Sequence, residues 1–119
     1  MRRDFAKSIF ERLIREQILQ FDDSILAIAG GEAEKELFAS FGFKNVTISN
    51  LDDRLIGDEF VPYTWSRQDA QSLSFGDNDF DYSFVSDGLH HCSSPHRALL
   101  EMYRVARKGL IVIESRDSY

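Results

Sequence analysis

With 119 residues, 43% of them hydrophobic and 10 of them Phe, the chain has the length of one domain and lies far from the low-hydrophobicity, high-charge range of disordered segments. Its 14 basic and 20 acidic residues give a net charge of -6. That balance, without any Lys/Arg run, would repel phosphate backbones and argues against a nucleic-acid partner, while apolar runs of strand length exclude a membrane span.

Phe5, Ile9, Leu13, Ile14, Ile18 and Phe21 recur at three- and four-residue spacing with charges between them. This pattern predicts an amphipathic helix within residues 1–23, lying on the core. The interrupting charges leave no apolar centre for a secretory signal, and the lone Cys92 can form no internal disulfide, so a reducing, cytoplasmic setting is expected. Residues 25–29 are apolar on both faces and read as a buried first strand. Gly30 and Gly31 break it, residues 32–41 read as a helix, and Gly42 supplies its stop. A second strand over 45–49 completes a β-α-β unit, whose strands are parallel and whose crossover is right-handed.

Residues 51–60 are polar and too short for a long helix; 63–66 read as a third, short strand. The turn cluster Asp77, Asn78 and Asp79 precedes a fourth strand over 80–85. Ser94 as N-cap and Pro95 at the first position open a helix to about Ala106, expected to bury Leu99, Met102, Tyr103 and Ala106. Gly109 then ends a linker, and 110–114 form a fifth buried strand. Strands alternating with helices predict an α/β layered fold with a parallel sheet, built as a single domain with an N-terminal helix (1–23) and a core (24–119).

In such sheets ligands bind outside the carboxyl ends of the strands, so the turns there carry the functional information. Ala29, Gly30, Gly31, Glu32 and Ala33 are small enough for backbone to approach a ligand at a helix N-terminus. Asn50, Leu51, Asp52 and Asp53 follow about 20 residues later, where a ribose needs hydrogen-bonding partners, and Asp69 with Ala70 stands after the third strand.

Taken together, the stretches 25–31, 68–75, 79–82, 88–91 and 98–105 resemble the class I S-adenosylmethionine-dependent methyltransferases of the small-molecule type. The resemblance covers residues 25–114 and is most specific from Asp69 to Val105. It implies a Rossmann-like three-layer sandwich with five strands in the order 3-2-1-4-5, without the family's usual C-terminal strands. It also implies S-adenosylmethionine as cofactor. The backbone of Ala29, Gly30 and Gly31 would receive the methionine part, Asn50 stands at the ribose position, Leu51 would pack on adenine, and Asp69 with Ala70 would meet the adenine amino group. Ser86 would face the methyl group. The family's first-motif acid is Ala27 here, two of its three glycines are Ala29 and Ala33, and Asn50 carries no charge.

A sulfonium is already an activated methyl donor, so rate can come from holding the acceptor in line. Where the acceptor must lose a proton, Asp87, His90 and His91 are the candidate bases. His91, Cys92 and His96 invite a zinc reading, but three ligands at a helix start with no second pair elsewhere match zinc-site spacings poorly, and no metal is expected. The expected function is methyl transfer to a small-molecule oxygen or carbon; the alternative is a non-catalytic module of the same fold. A nicotinamide-dependent oxidoreductase ranks last among the readings, because Gly31 lacks glycine partners at the required spacing. Finally, residues 110–113 would leave an open apolar edge, which predicts a homodimer through the segment 110–119.

Overall fold

The computed structural model describes residues 2–52 and 57–114. Helix α1 (Arg2–Arg15) leads into β1 (Ser24–Ile28), α2 (Glu32–Phe41) and β2 (Asn45–Asn50), then β3 (Thr64–Arg67), β4 (Phe80–Ser86), α3 (Pro95–Val105) and β5 (Ala106–Ile113). Short 3-10 turns at Gly57–Phe60 and Leu89–His91 complete the elements. All strands are parallel, in the order β3-β2-β1-β4-β5. This is the Rossmann-like order expected above.

The strand alternation sorts the core into two faces. Ile25, Ala27, Val46, Ile48 and Phe84 point to the side covered by α1 and α2, where Phe10 and Phe38 are fully buried. Leu26, Ile28 and Val85 point to the other side, against Ala98, Met102 and Val105 of α3. The Phe10 ring lies 5.3–6.0 Å from the rings of Phe38, Phe41, Phe43 and Phe84, mostly tilted or edge-on, the arrangement in which aromatic quadrupoles attract.

Four local expectations are corrected. The first helix ends at Arg15 rather than reaching Phe21. Gln17 adopts φ 61°, and the N–H groups of Ile18 and Gln17 bond back to the carbonyls of Leu13 and Ile14, closing a Schellman cap without glycine. The chain can then turn so that Leu19 is buried while Ile18 and Phe21 stay exposed. The first strand stops at Ile28, because Ala29 at φ 53° already belongs to the turn. On α3 the inward face is Ala98, Met102 and Val105; Tyr103 is 73% exposed, and Leu99 and Ala106 are only partly buried. Gly109 ends no linker: α3 runs directly into β5, and Gly109 lies inside that strand beside the Tyr82 ring. The Gly42 stop (φ 83°) and the Ser94 cap, whose hydroxyl accepts the Arg97 N–H, occur as expected. β5 is an edge strand of the sheet, and the predicted pairing segment beyond residue 114, like Asp53, lies outside the described residues.

Two carboxylates fix neighbouring segments, Asp81 across the strands of the sheet and Glu101 between α3 and the Leu73 loop. Asp81 accepts the Ser24 N–H at 2.9 Å and pairs with Arg107. Burial alone would raise its pKa, but the Ser24 N–H and the Arg107 guanidinium outweigh burial and hold it below the ordinary value. The Arg104 guanidinium likewise lowers Glu101, which also accepts the Leu73 N–H at 2.8 Å. A carboxylate with a depressed folded pKa contributes stability that is present above its unfolded pKa and lost as pH falls through the folded one. The melting temperature is therefore expected to fall below pH about 4, the ordinary range of these groups. Asp81→Asn combined with Glu101→Gln should flatten that fall in thermal melts followed by circular dichroism; an unchanged slope would contradict the assignment.

Candidate functional site

Parallel strands bring the turns after β1, β2, β3 and β4 to one edge of the sheet. After β1 the left-handed Ala29 doubles the chain back, and the Gly30 N–H donates to the Ser49 carbonyl at 2.8 Å. A Cβ at Gly30 would stand 3.0 Å from Ile48 Cγ2, so glycine lets this turn lie flat on β2. The Asn50 amide clamps the same turn, its Nδ2 donating to the Gly30 carbonyl (2.9 Å) while its Oδ1 accepts the Asp52 N–H (3.0 Å). Gly31 caps α2 in extended backbone, and its N–H donates to Glu34 Oε1 at 2.6 Å. Burial pushes the Glu34 carboxyl above its ordinary pKa, the backbone N–H groups of Gly31 and Glu34 oppose that rise, and the nearby Asp87 charge adds to it.

The turn after β4 meets this one. Asp87 also adopts a left-handed conformation (φ 57°), and its N–H donates to the Ile113 carbonyl at 2.7 Å. Gly88 then packs so tightly on Ala29 that a Cβ there would be 2.5 Å from the Ala29 methyl. Glu114, at the end of β5, accepts the N–H groups of Gly88 and Leu89 through Oε2 (3.0 and 3.3 Å), and its Oε1 lies 3.3 Å from His90 Nδ1. The His90 and His91 rings are 4.1 Å apart. After β3, Asp69 Oδ1 accepts the Gln71 N–H at 2.9 Å, and Gln71 in turn accepts the Ser94 N–H.

Between these turns opens a cavity of about 220 Å³. Of the residues expected to meet a cofactor, Ala29, Asn50, Leu51, Asp69 and Ala70 line it. Gly30 and Gly31 do not, and their N–H groups are taken by the Ser49 carbonyl and Glu34 Oε1. Ser86 also lies off the lining. Of the candidate bases, His91 lines the cavity, while Asp87 and His90 sit on the same turn outside it. Gln68, Gln71 and Gly88 line it too, and no sequence signal assigned them a role there. The Cys92 thiol, on the same wall, is raised by burial and by the charges of Asp69 and Glu114, which disfavours a thiolate. Among the described residues no group of three or more His, Cys, Asp or Glu is arranged to hold a metal ion.

A larger hollow of about 600 Å³ lies at the opposite end of the sheet, lined by Ile14, Leu19, Phe21 and Lys44 among others. It faces the amino ends of β1 and β2, where this architecture does not bind ligands. No helix among the described residues is long and apolar enough to cross a membrane.

A family model described as a methyltransferase domain matches residues 27–113. The ubiquinone/menaquinone biosynthesis C-methyltransferase UbiE of Zymomonas mobilis is 30% identical over 112 residues, covering 87% of this chain and 45% of that protein. A demethylmenaquinone methyltransferase of Paenarthrobacter aurescens is 46% identical over 48 residues, 39% of this chain and 19% of its own length. The chain thus spans less than half the length of these relatives. Among solved structures, a SAM-dependent methyltransferase of Methanosarcina mazei matches at TM-score 0.65 with 23% identity, covering 79% of this chain and 52% of that one. The [4+2]-cyclase SpnF matches at TM-score 0.69 with 21% identity, over 86% of this chain and 41% of its own. These two likenesses are of fold, and the cyclase illustrates that the fold alone does not name the reaction.

Proposed function

Because this chain belongs to the methyltransferase domain family, we propose that it binds S-adenosylmethionine at the carboxyl edge of β1 to β3 and transfers its methyl group to a small-molecule carbon or oxygen. Carbon is favoured by the C-methyltransferase name of the Zymomonas relative. The observation that carries the reading is the cavity between the β1, β2, β3 and β4 turns, where Leu51 and Ala70 offer apolar surface and Asn50 and Asp69 offer polar groups.

The residues present fit the nucleoside end of the cofactor. At about 220 Å³ the cavity is smaller than the ~300–1,000 Å³ of pockets that enclose a whole ligand, so it would enclose adenosine and leave the methionine end at its mouth. Leu51 and Ala70 would sandwich the purine. Asp69, oriented by the Gln71 N–H on Oδ1, would accept from the adenine amino group through Oδ2. Asn50, held by Gly30 and Asp52, keeps one amide hydrogen and one lone pair for ribose hydroxyls. The cofactor supplies a methyl group already activated on a sulfonium.

One observation favours the second reading, a non-catalytic module. Glu34 occupies the Gly31 N–H that a ligand carboxylate could use. Calorimetric titration with S-adenosylmethionine, S-adenosylhomocysteine and a dinucleotide separates the possibilities: binding of the first two alone is expected. Asp69→Ala should weaken that binding by about 1–3 kcal/mol, the loss for a buried hydrogen-bond partner, or roughly 5- to 150-fold. Unchanged affinity would defeat the role given to Asp69.

A further inference from the structure

Glu114 makes three contacts with one carboxylate. Oε2 accepts two consecutive backbone N–H groups, Gly88 and Leu89, so that oxygen is committed to the turn after β4. Oε1 is thereby aimed at His90 Nδ1, 3.3 Å away. A carboxylate only accepts, so the ring nitrogen facing it must be the protonated one. The neutral His90 ring then carries its lone pair on Nε2, on the side away from Glu114. The ring is only partly covered, with the side chain 35% exposed, and it packs 4.1 Å from His91, which lines the cavity. His90 therefore stands on the turn beside the cavity, against the lining residue His91, with one tautomer selected and its Nε2 not engaged by Glu114.

We propose that Glu114 is a positioning residue that holds His90 as the Nδ1–H tautomer, so that His90 Nε2 is the base that takes the acceptor's proton during methyl transfer. The base assignment rests on the methyl-transfer reading above; the Glu114–His90 coupling does not. In the step itself the acceptor carbon or oxygen forms its bond to the methyl carbon as it loses its proton to Nε2. The electron pair of the broken methyl–sulfur bond stays on sulfur, which becomes a neutral thioether. A proton held on Nε2 instead would leave no lone pair there, the same logic by which an amide in place of a triad carboxylate misdirects a catalytic histidine.

Glu114→Gln is the discriminating variant, because its two ends are not equivalent. The two backbone N–H groups need an acceptor, so the amide oxygen stays with Gly88 and Leu89, and the NH2 turns to Nδ1 as a donor. Nδ1 must then be unprotonated, and the proton moves to Nε2. Long-range 15N–1H spectra of the histidine rings at pH 8.5, above the ordinary imidazole range, read the tautomer directly. The expected result is Nδ1–H for His90 in the wild-type chain and Nε2–H in Glu114→Gln, with S-adenosylmethionine affinity changed less than about twofold. An Nε2–H tautomer in the wild-type chain overturns the proposal without any variant, as does a Glu114→Gln protein in which the tautomer is unmoved. Wild-type Nδ1–H together with no S-adenosylmethionine binding defeats the methyl-transfer reading and the base assignment, while leaving the positioning by Glu114 standing.

Discussion

Phe10→Ala is expected to destabilise the fold by about 3–5 kcal/mol, the range for emptying the volume of a buried phenylalanine. The ring is fully buried and touches four others, from α2, its following loop and β4. None of those neighbours can collapse into the hole without abandoning its own partners, since Phe38 also packs on Phe43 and Phe84, and Phe41 on Phe43. A loss of that size is a large share of the ~5–15 kcal/mol by which domains are stable. Urea unfolding followed by fluorescence and circular dichroism measures it. A change below about 1 kcal/mol would mean that α1 rides on the sheet without being part of its core.

The second large effect is expected at Gly88. A methyl group there would lie 2.5 Å from the Ala29 methyl and 3.0 Å from Val85 Cγ2. Ala29 cannot simply retreat, because the left-handed turn at its position leads straight into Gly30, itself pressed on Ile48. Gly88→Ala should therefore force the β1 and β4 turns apart, at a cost of about 1–3 kcal/mol for overpacking. Because both turns wall the cavity, cofactor binding should be lost as well. Ala29→Gly removes the closer of the two clashing atoms and suits the positive φ at that position. The double variant is expected to recover most of the loss, giving a coupling energy of at least about 1 kcal/mol in a double-mutant cycle. Simple additivity would show that the two turns do not press on each other. Gly31→Val serves as the contrast: backbone at φ -156° accepts any side chain, the nearest atom to an added Cβ is 3.9 Å away, and the fold should be retained.

Much of this architecture is legible in single residues and short periods. Residues 25–29, 45–49 and 80–85 read as strands from the apolar, β-branched and aromatic residues within each short run, and β1, β2 and β4 occupy them to within one residue at either end. Gly42 and the Ser94–Pro95 pair mark helix ends through chemistry confined to three or four residues. Five of the eight residues singled out for cofactor contact line one cavity, because a β-α-β topology sends all of its turns to the same edge.

Other features exist only where distant residues meet. Gln17 takes a left-handed conformation that its side chain does not favour, and the gain is burial of Leu19 beneath the sheet. The inward face of α3 is chosen by where β1 and β4 present Leu26, Ile28 and Val85, which periodicity alone cannot choose when Leu99, Leu100 and Tyr103 offer a competing apolar stripe. Glu34 closes the Gly31 N–H three residues away, whereas Glu114 reaches back 24 to 26 positions to Gly88, Leu89 and His90. A hydrogen bond across such a separation leaves no trace in spacing or composition, because it is the parallel pairing of β4 with β5 that brings its two ends together.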